Sequence, residues 1–299
     1  MQHRPLVIAH ANCMDGTGAA YAASFFLTNA DYHAAAYGTE PPDVRGRDVY
    51  ILDFAYPRDV LLDMAAAARS IVVIDHHATA EDALGGLDFA HFDMSKSGCV
   101  LTWEYFVDKY PSHLHPGMSM PSVLAYIQDR DLWQWRLSES AAINEYMRHP
   151  DRIDLTAPLE TQIRRLANIS EYWNSNYEAY VSMGRGLLRE KQRLVEAVTA
   201  KPFHIAFSID GVPYRIPAVW SPLSVTSEVG QALAKASPHG VGAVFGQFSH
   251  GRFGVSFRGV SGTDLARLLA EAYGGGGHDC AAGCGVTPEV MATLISTTN

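Results

Sequence analysis

The 299-residue sequence predicts an α/β protein: an N-terminal parallel-sheet domain followed by a smaller C-terminal mixed α/β domain. Two observations carry this expectation. Apolar, β-branched runs alternate with helix-compatible stretches up to residue 75, the order produced by parallel strands with crossover helices. Beyond Pro202 the texture changes to short strands and tight turns that pair locally.

Taken in order, residues 5–9 form a strand that runs into His10, Asn12 and Asp15. Asp15-Gly16-Thr17-Gly18 then opens an alanine-rich helix through Leu27, whose small residues permit close packing on a sheet. Residues 33–37 read as a second strand and 48–52 as a third, the latter ending in Asp53. Pro57 precedes a helix over 58–68 with Val60, Leu61, Met64 and Ala68 on one face. Ile71-Val72-Val73-Ile74 is a buried strand that stops abruptly at Asp75-His76-His77. An edge strand at 89–93 and a helix at 99–110 follow. The apolar segment 123–127 runs out into Asp129 and Asp131, as the earlier strands run out into their acids. The expected domains are 1–140, a helical extension and linker at 141–200, and 201–299. In the last, strands are expected at 203–209 and 214–219, a helix at 224–235, a hairpin from 242–246 and 252–258 turning at Ser249-His250-Gly251, and a helix at 263–273. The four glycines 274–277 follow, and their backbone freedom suits close approach to another group.

Composition narrows the function. A formal net charge of -9 without a Lys/Arg-rich run excludes a surface built for long duplex nucleic acid, which relies on many phosphate contacts. No apolar run reaches the length of a membrane span, and the start lacks an export signal, so a cytoplasmic protein with no membrane contact is expected. The four cysteines, Cys13, Cys99, Cys280 and Cys284, are too few and too irregular for a disulfide scaffold.

In an open parallel sheet the carboxyl ends of the strands face the ligand crevice. The strand-end residues His10, Asp15, Asp53, Asp75, His76 and His77, with Asp129, offer the carboxylate and imidazole donors that divalent ions accept at neutral pH. Two such ions sharing a carboxylate can activate water and clamp a phosphoryl group. Trp133 and Trp135 read as packing residues rather than base-stacking platforms, and Ser97-Gly98 as a helix start, either a plain N-cap or one that places its amides near an anion.

Asp75-His76-His77 resembles the Asp-His-His signature of the DHH phosphoesterase superfamily. Gly274-Gly275-Gly276-Gly277-His278-Asp279-Cys280-Ala281-Ala282-Gly283 resembles the glycine-rich motif of the associated DHHA1 domain, and Ser256-Phe257-Arg258 the segment preceding it. The resemblance implies an Mn²⁺-dependent phosphoesterase with one or two ions, Mg²⁺ or Co²⁺ being able to substitute. It makes Asp53 the bridging carboxylate, His10 a ligand of the first ion, and Asp15 and His76 ligands of the second. Asp129 is the best match to the last metal motif, with Asp131 as the fallback. It makes Asp75 a metal contact or an orienting group, and gives His77 the phosphate. Ser256, Arg258, Gly275, Gly276, Gly277 and His278 would bind substrate. The implied substrate is a small nucleotide or short single-stranded oligonucleotide hydrolysed by metal-activated water, with a homodimer compatible. Cys13 stands where the family places an aspartate. It leaves open a softer metal ligand, a vacant first site, or a degenerate nucleotide-binding protein. Pyrophosphate or polyphosphate hydrolysis is the other alternative.

Overall fold

The computed structural model describes residues 4–113, 118–209, 211–247 and 253–296. The predicted hairpin turn at Ser249-His250-Gly251 lies outside them. The chain divides into two compact units, Met1–Leu188 and Arg189–Asn299.

In the first unit the elements are β1 (Leu6–His10), α1 (Met14–Ser24), β2 (Asp31–Ala35), β3 (Asp48–Leu52), α2 (Arg58–Ala67), β4 (Ser70–Asp75), α3 (Ala78–Leu84), β5 (Ala90–Phe92) and α4 (Gly98–Lys109). They continue with α5 (Ser122–Asp131), α6 (Ser140–Arg148), α7 (Leu159–Glu171) and α8 (Trp173–Thr199), within which the boundary between the units falls. The five strands form one parallel sheet in the order β2-β1-β3-β4-β5. The period of 2 along each strand sorts the core into two layers. Val7, Ala9, Tyr50, Leu52, Val72 and Ile74 pack with α1, α4, α5, α6 and α7 on one face. Leu6, Ile8, Val49, Ile51, Ile71 and Val73 pack with Leu61, Met64 and Leu84 of α2 and α3 on the other. Burial on both faces explains why these strands read as unbroken apolar runs.

Helix α1 is buried all round from Met14 to Ala23. Its small residues allow this: a Cβ built on Gly18 would stand 2.9 Å from the Cβ of Cys99 on α4. The segment 123–127, expected to end like a strand, is instead part of helix α5.

The second unit contains β6 (Phe203–Ile209), β7 (Val212–Trp220), α9 (Thr226–Ala236), β8 (Val241–Gln247), β9 (Phe253–Gly259), α10 (Leu265–Glu271), β10 (Gly276–His278), β11 (Ala281–Val286) and α11 (Pro288–Ser296). Its sheet runs β10-β11-β9-β8-β7-β6 and is mixed, because α9 carries the chain from β7 to a parallel β8 while the other pairs are antiparallel. Phe245, Phe257, Val255 and Ala282 face α10 and α11, and Val244 faces α9. The expected pairing of a parallel-sheet domain with a mixed α/β domain is what the chain adopts. No helix among the described residues is long and apolar enough to cross a membrane.

Candidate metal centre

The carboxyl ends of β1, β3 and β4 lie side by side in the sheet, so the residues that follow them converge. After His10 the chain turns through Asn12, at φ 55°, and enters α1 at Cys13. Gly16 closes the turn, since a Cβ there would lie 2.4 Å from the carbonyl oxygen of His10. Asp53 also has a left-handed backbone, φ 55°, a conformation aspartate tolerates better than most residues. Non-glycine residues held in this region cluster at functional sites.

Asp53 is the hub. Cys13 Sγ lies 3.4 Å and His10 Nδ1 3.6 Å from its Oδ2, while His76 Nε2 lies 3.2 Å from its Oδ1. The same His76 nitrogen is 3.5 Å from Asp15 Oδ2 and 3.5 Å from Asp131 Oδ2. Three overlapping donor groups result, each with its atoms within 4.8 Å of one another: His10, Cys13 and Asp53; Asp15, His76 and Asp131; and Asp53, Asp75, His76 and His77.

Asp75 is fully buried and accepts from the His76 backbone N–H at 2.7 Å, with His77 Nδ1 at 2.6 Å from the same oxygen. That contact fixes the ring of His77. Asp15 is held by the start of α4, whose Gly98 and Cys99 amides donate to its two oxygens at 2.6 and 3.0 Å. The helix start thus holds a carboxyl group of the protein's own. Ser97 makes no side-chain cap.

Asp129 is not part of the cluster. Its carboxylate accepts from the backbone N–H groups of Arg136 and Leu137 at 2.8 and 3.3 Å and stabilises the loop after α5. Asp131 stands in the donor cluster in its place. On a helix, residues two apart point to nearly opposite sides, so only one of the two acids can face the strand ends. Ile127 and Asp131, four apart, share the face that lines a small cavity with Cys13, Asp15, Arg130 and Arg148. The two arginines escaped sequence reading because nothing local marks them. Trp133 and Trp135 pack edge to face at 4.9 Å, with the Arg130 guanidinium 5.8 Å from the Trp133 ring.

Electrostatics favour a cation here. Burial raises the pKa of Asp15 well above the carboxylate range, and the charges of Asp53 and Asp131 add to the rise. Burial and Asp53 likewise push the Cys13 thiol up. Asp53 itself is held low: burial opposes its ionisation, but the imidazoles of His10 and His76 beside it override that penalty. Burial works against a charged His76, yet Asp53, Asp15 and Asp131 together lift it to about 10. Crowded buried carboxylates sharing imidazoles are an arrangement that divalent ions stabilise. The buried His10 Nδ1 and Asp75 Oδ2 atoms have no hydrogen-bond partner among the described residues. The donor groups therefore fit a divalent ion.

Two expected results follow from this geometry. A Cβ on Gly98 would lie 2.6 Å from Asp53 Cβ and 3.0 Å from Asp15 Oδ2. Gly98→Ala should leave circular dichroism near wild type and weaken Mn²⁺ binding by about 10- to 100-fold, since ångström shifts in such sites cost this much. Unchanged affinity in a calorimetric titration would show that the two carboxylates have room to move. Separately, His76 is protonated in the ion-free centre up to about pH 10 and must lose that proton to bind metal. Mn²⁺ affinity should rise with pH between 6 and 9, by up to about tenfold per unit, with proton release visible when buffers of different ionisation enthalpy are compared. A flat profile would mean that His76 is not a ligand.

In the second unit the register aligns Arg258 with Ala281 and His278, and Ser256 with Gly283 and Gly276. Arg258 donates to Phe257 O at 2.9 Å and to Ser227 Oγ at 3.3 Å. Its aliphatic stem lies against Gly230, where a Cβ would be 2.5 Å from Arg258 Cγ. The glycine run ends in the edge strand β10, and Gly277, at φ 142°, is confined by Ala281 and Ala282. Gly275 passes 2.1 Å, measured from a built Cβ, from the Gly283 carbonyl oxygen.

Comparison with known proteins gives a family match, two curated relatives and a solved structure of similar fold. The model of the DHHA1 domain family matches residues 214–299. An uncharacterised protein of Acanthamoeba polyphaga mimivirus is 28% identical over 166 residues, 47% of this chain and 36% of that protein. Oligoribonuclease NrnB of Bacillus subtilis (strain 168) is 24% identical over 244 residues, 77% of this chain and 56% of that protein. The matches thus span about a third and just over half of the lengths of these curated relatives. Among solved structures, an exopolyphosphatase-related protein from Bacteroides fragilis superimposes with a TM-score of 0.51 at 14% identity, over 99% of this chain and 91% of that one. This is a likeness of fold.

Proposed function

Because the chain belongs to the DHH phosphoesterase superfamily and carries a C-terminal DHHA1 domain, we propose that it is a metal-dependent hydrolase of phosphoester bonds in short oligonucleotides or small nucleotides. The observation that carries the reading is Asp53, a member of the His10/Cys13 donor group whose Oδ1 lies 3.2 Å from His76 of the neighbouring Asp15/His76/Asp131 group, where it would serve two ions. Divalent ions, Mn²⁺ in the first instance, supply Lewis acidity to a phosphoryl group and make water nucleophilic at neutral pH.

The protein's own residues do the rest. Asp53, ionised despite burial, keeps the two donor groups at a fixed separation. The α4 amides hold Asp15 in one orientation. His77 commits Nδ1 to Asp75, and its Nε2 would donate to a phosphoryl oxygen or to the leaving group. Burial disfavours its charged form, but Asp75 raises its pKa overall, which suits a proton donor near neutrality. On the sheet of the second unit, Ser256, Arg258, His278 and the backbone of 275–277 would offer donors to an anionic group.

Short substrates are favoured by the charge of -9, which opposes a long phosphate track. The oligoribonuclease among the relatives supports the same choice. Cys13 keeps a donor in the first group, 3.4 Å from Asp53, and this weighs against a degenerate binder. The test is a comparison of kcat/KM for RNAs of two to five nucleotides, a 20-mer, 3′,5′-bisphosphorylated adenosine, cyclic di-AMP, pyrophosphate and tripolyphosphate. The short RNAs or the small nucleotides should lead the 20-mer by about tenfold or more. Pyrophosphate or tripolyphosphate as the best substrate would contradict the assignment.

A further inference from the structure

We infer that the two halves of this centre differ in kind. The His10, Cys13 and Asp53 group takes a thiophilic, borderline ion of the zinc class, and Asp15, His76 and Asp131 with the shared Asp53 take a hard ion of the manganese or magnesium class. The inference rests on the two-ion reading above and specifies it.

The donor chemistry divides across Asp53. One side offers nitrogen, sulfur and oxygen. The other offers a single nitrogen among oxygens: His76 Nε2 lies 3.5, 3.2 and 3.5 Å from Asp15, Asp53 and Asp131. Sulfur ligands select zinc-like ions over manganese and magnesium, whereas carboxylate-rich sets suit the hard ions. Cys99, the other thiol of the first unit, lies beside Asp15 with Sγ 3.3 Å from Ser97 Oγ and 3.7 Å from the Leu124 carbonyl oxygen, and it belongs to none of the three donor groups.

Distances agree with the division. A tetrahedral ion with bonds of about 2.3 Å to sulfur and about 2.0 Å to oxygen requires those donors to be about 3.5 Å apart. Cys13 Sγ and Asp53 Oδ2 are 3.4 Å apart, and His10 Nδ1 is 3.6 Å from the same oxygen. The unpartnered, buried His10 Nδ1 completes a three-donor set, the number that zinc-class sites use when a fourth position stays open for water or substrate.

The experiment uses the full-length protein stripped with chelator and titrated with Co²⁺ by absorption spectroscopy. A sulfur-to-cobalt charge-transfer band should grow and saturate at one ion per chain. It should vanish in Cys13→Ser and persist in Cys280→Ser. One equivalent of Zn²⁺ should erase it, and about a hundredfold excess of Mn²⁺ should not. Protein holding one Zn²⁺ should then bind one Mn²⁺ with the paramagnetic resonance of an isolated ion. Cys13→Asp, which restores an anionic oxygen donor, should bind two Mn²⁺ as a spin-coupled pair, and its circular dichroism reports whether the fold is retained. Folded, cobalt-loaded wild type without the band, or with two equivalent Mn²⁺ sites, overturns the inference and leaves the hydrolytic reading intact. A band obeying these rules in a protein that hydrolyses nothing would sustain this inference and remove the hydrolytic one.

Discussion

Asp53→Asn should reduce turnover by about three orders of magnitude or more while the protein keeps its fold. The substitution preserves shape and replaces one carboxylate oxygen by an amide. It removes the charge on which both donor groups converge, from a side chain that is 1% exposed and surrounded by His10, Cys13 and His76. A second readout separates a lost metal bridge from general damage. Wild type should be stabilised by Mn²⁺, by about 2.7 kcal/mol at a hundred times Kd, as any ligand of the native state stabilises it. Asp53→Asn should lose most of that metal-induced rise in Tm. Full Mn²⁺ stabilisation in an inactive variant would show that Asp53 serves chemistry without holding metal.

His77→Ala carries the next largest expected effect, a fall in kcat of about 10²- to 10³-fold. Its ring is tied to Asp75 at 2.6 Å, and its place at the edge of the cluster suits a role toward substrate. Metal stoichiometry should therefore stay at the wild-type value while kcat drops and KM moves little. Asp75→Asn should cost less, about 10- to 100-fold, because it loosens the ring without removing it. Should His77→Ala bind one ion fewer per chain, His77 would be a ligand and the assignment of its role would change.

The parts of this centre that were legible in the sequence are those at abrupt strand ends. A run such as Ile71-Val72-Val73-Ile74 needs burial on both faces, so the polar residues that follow it must emerge at the sheet's rim. β1, β3 and β4 obey this rule and deliver His10, Asp53 and Asp75 to neighbouring positions. The segment before Asp129 is also apolar but is a helix turn, and periodicity in so short a run does not separate strand from helix. That ambiguity decides which acid faces the cluster, because the strand reading and the helix reading orient residues 129 and 131 differently.

Contacts made across long sequence separations left no local trace. Asp15 is held by amides 83 and 84 residues away, and Thr17 donates to Gln162 Oε1 at 2.5 Å, 145 residues on. Gly98 reads as a helix start, and its lack of a side chain gains meaning only when Asp53 and Asp15 are seen against it. The glycine run 274–277 signalled close backbone approach, and part of it proved to be an edge strand packed on β11.

The most direct test is product formation by purified protein from a diribonucleotide and its longer homologues, first with EDTA and then with Mn²⁺ restored. The account predicts no turnover with chelator, recovery on adding metal, and no recovery in Asp53→Asn. Folded wild-type protein that binds its full complement of metal and still cleaves none of the short RNAs, small nucleotides or polyphosphates would contradict it.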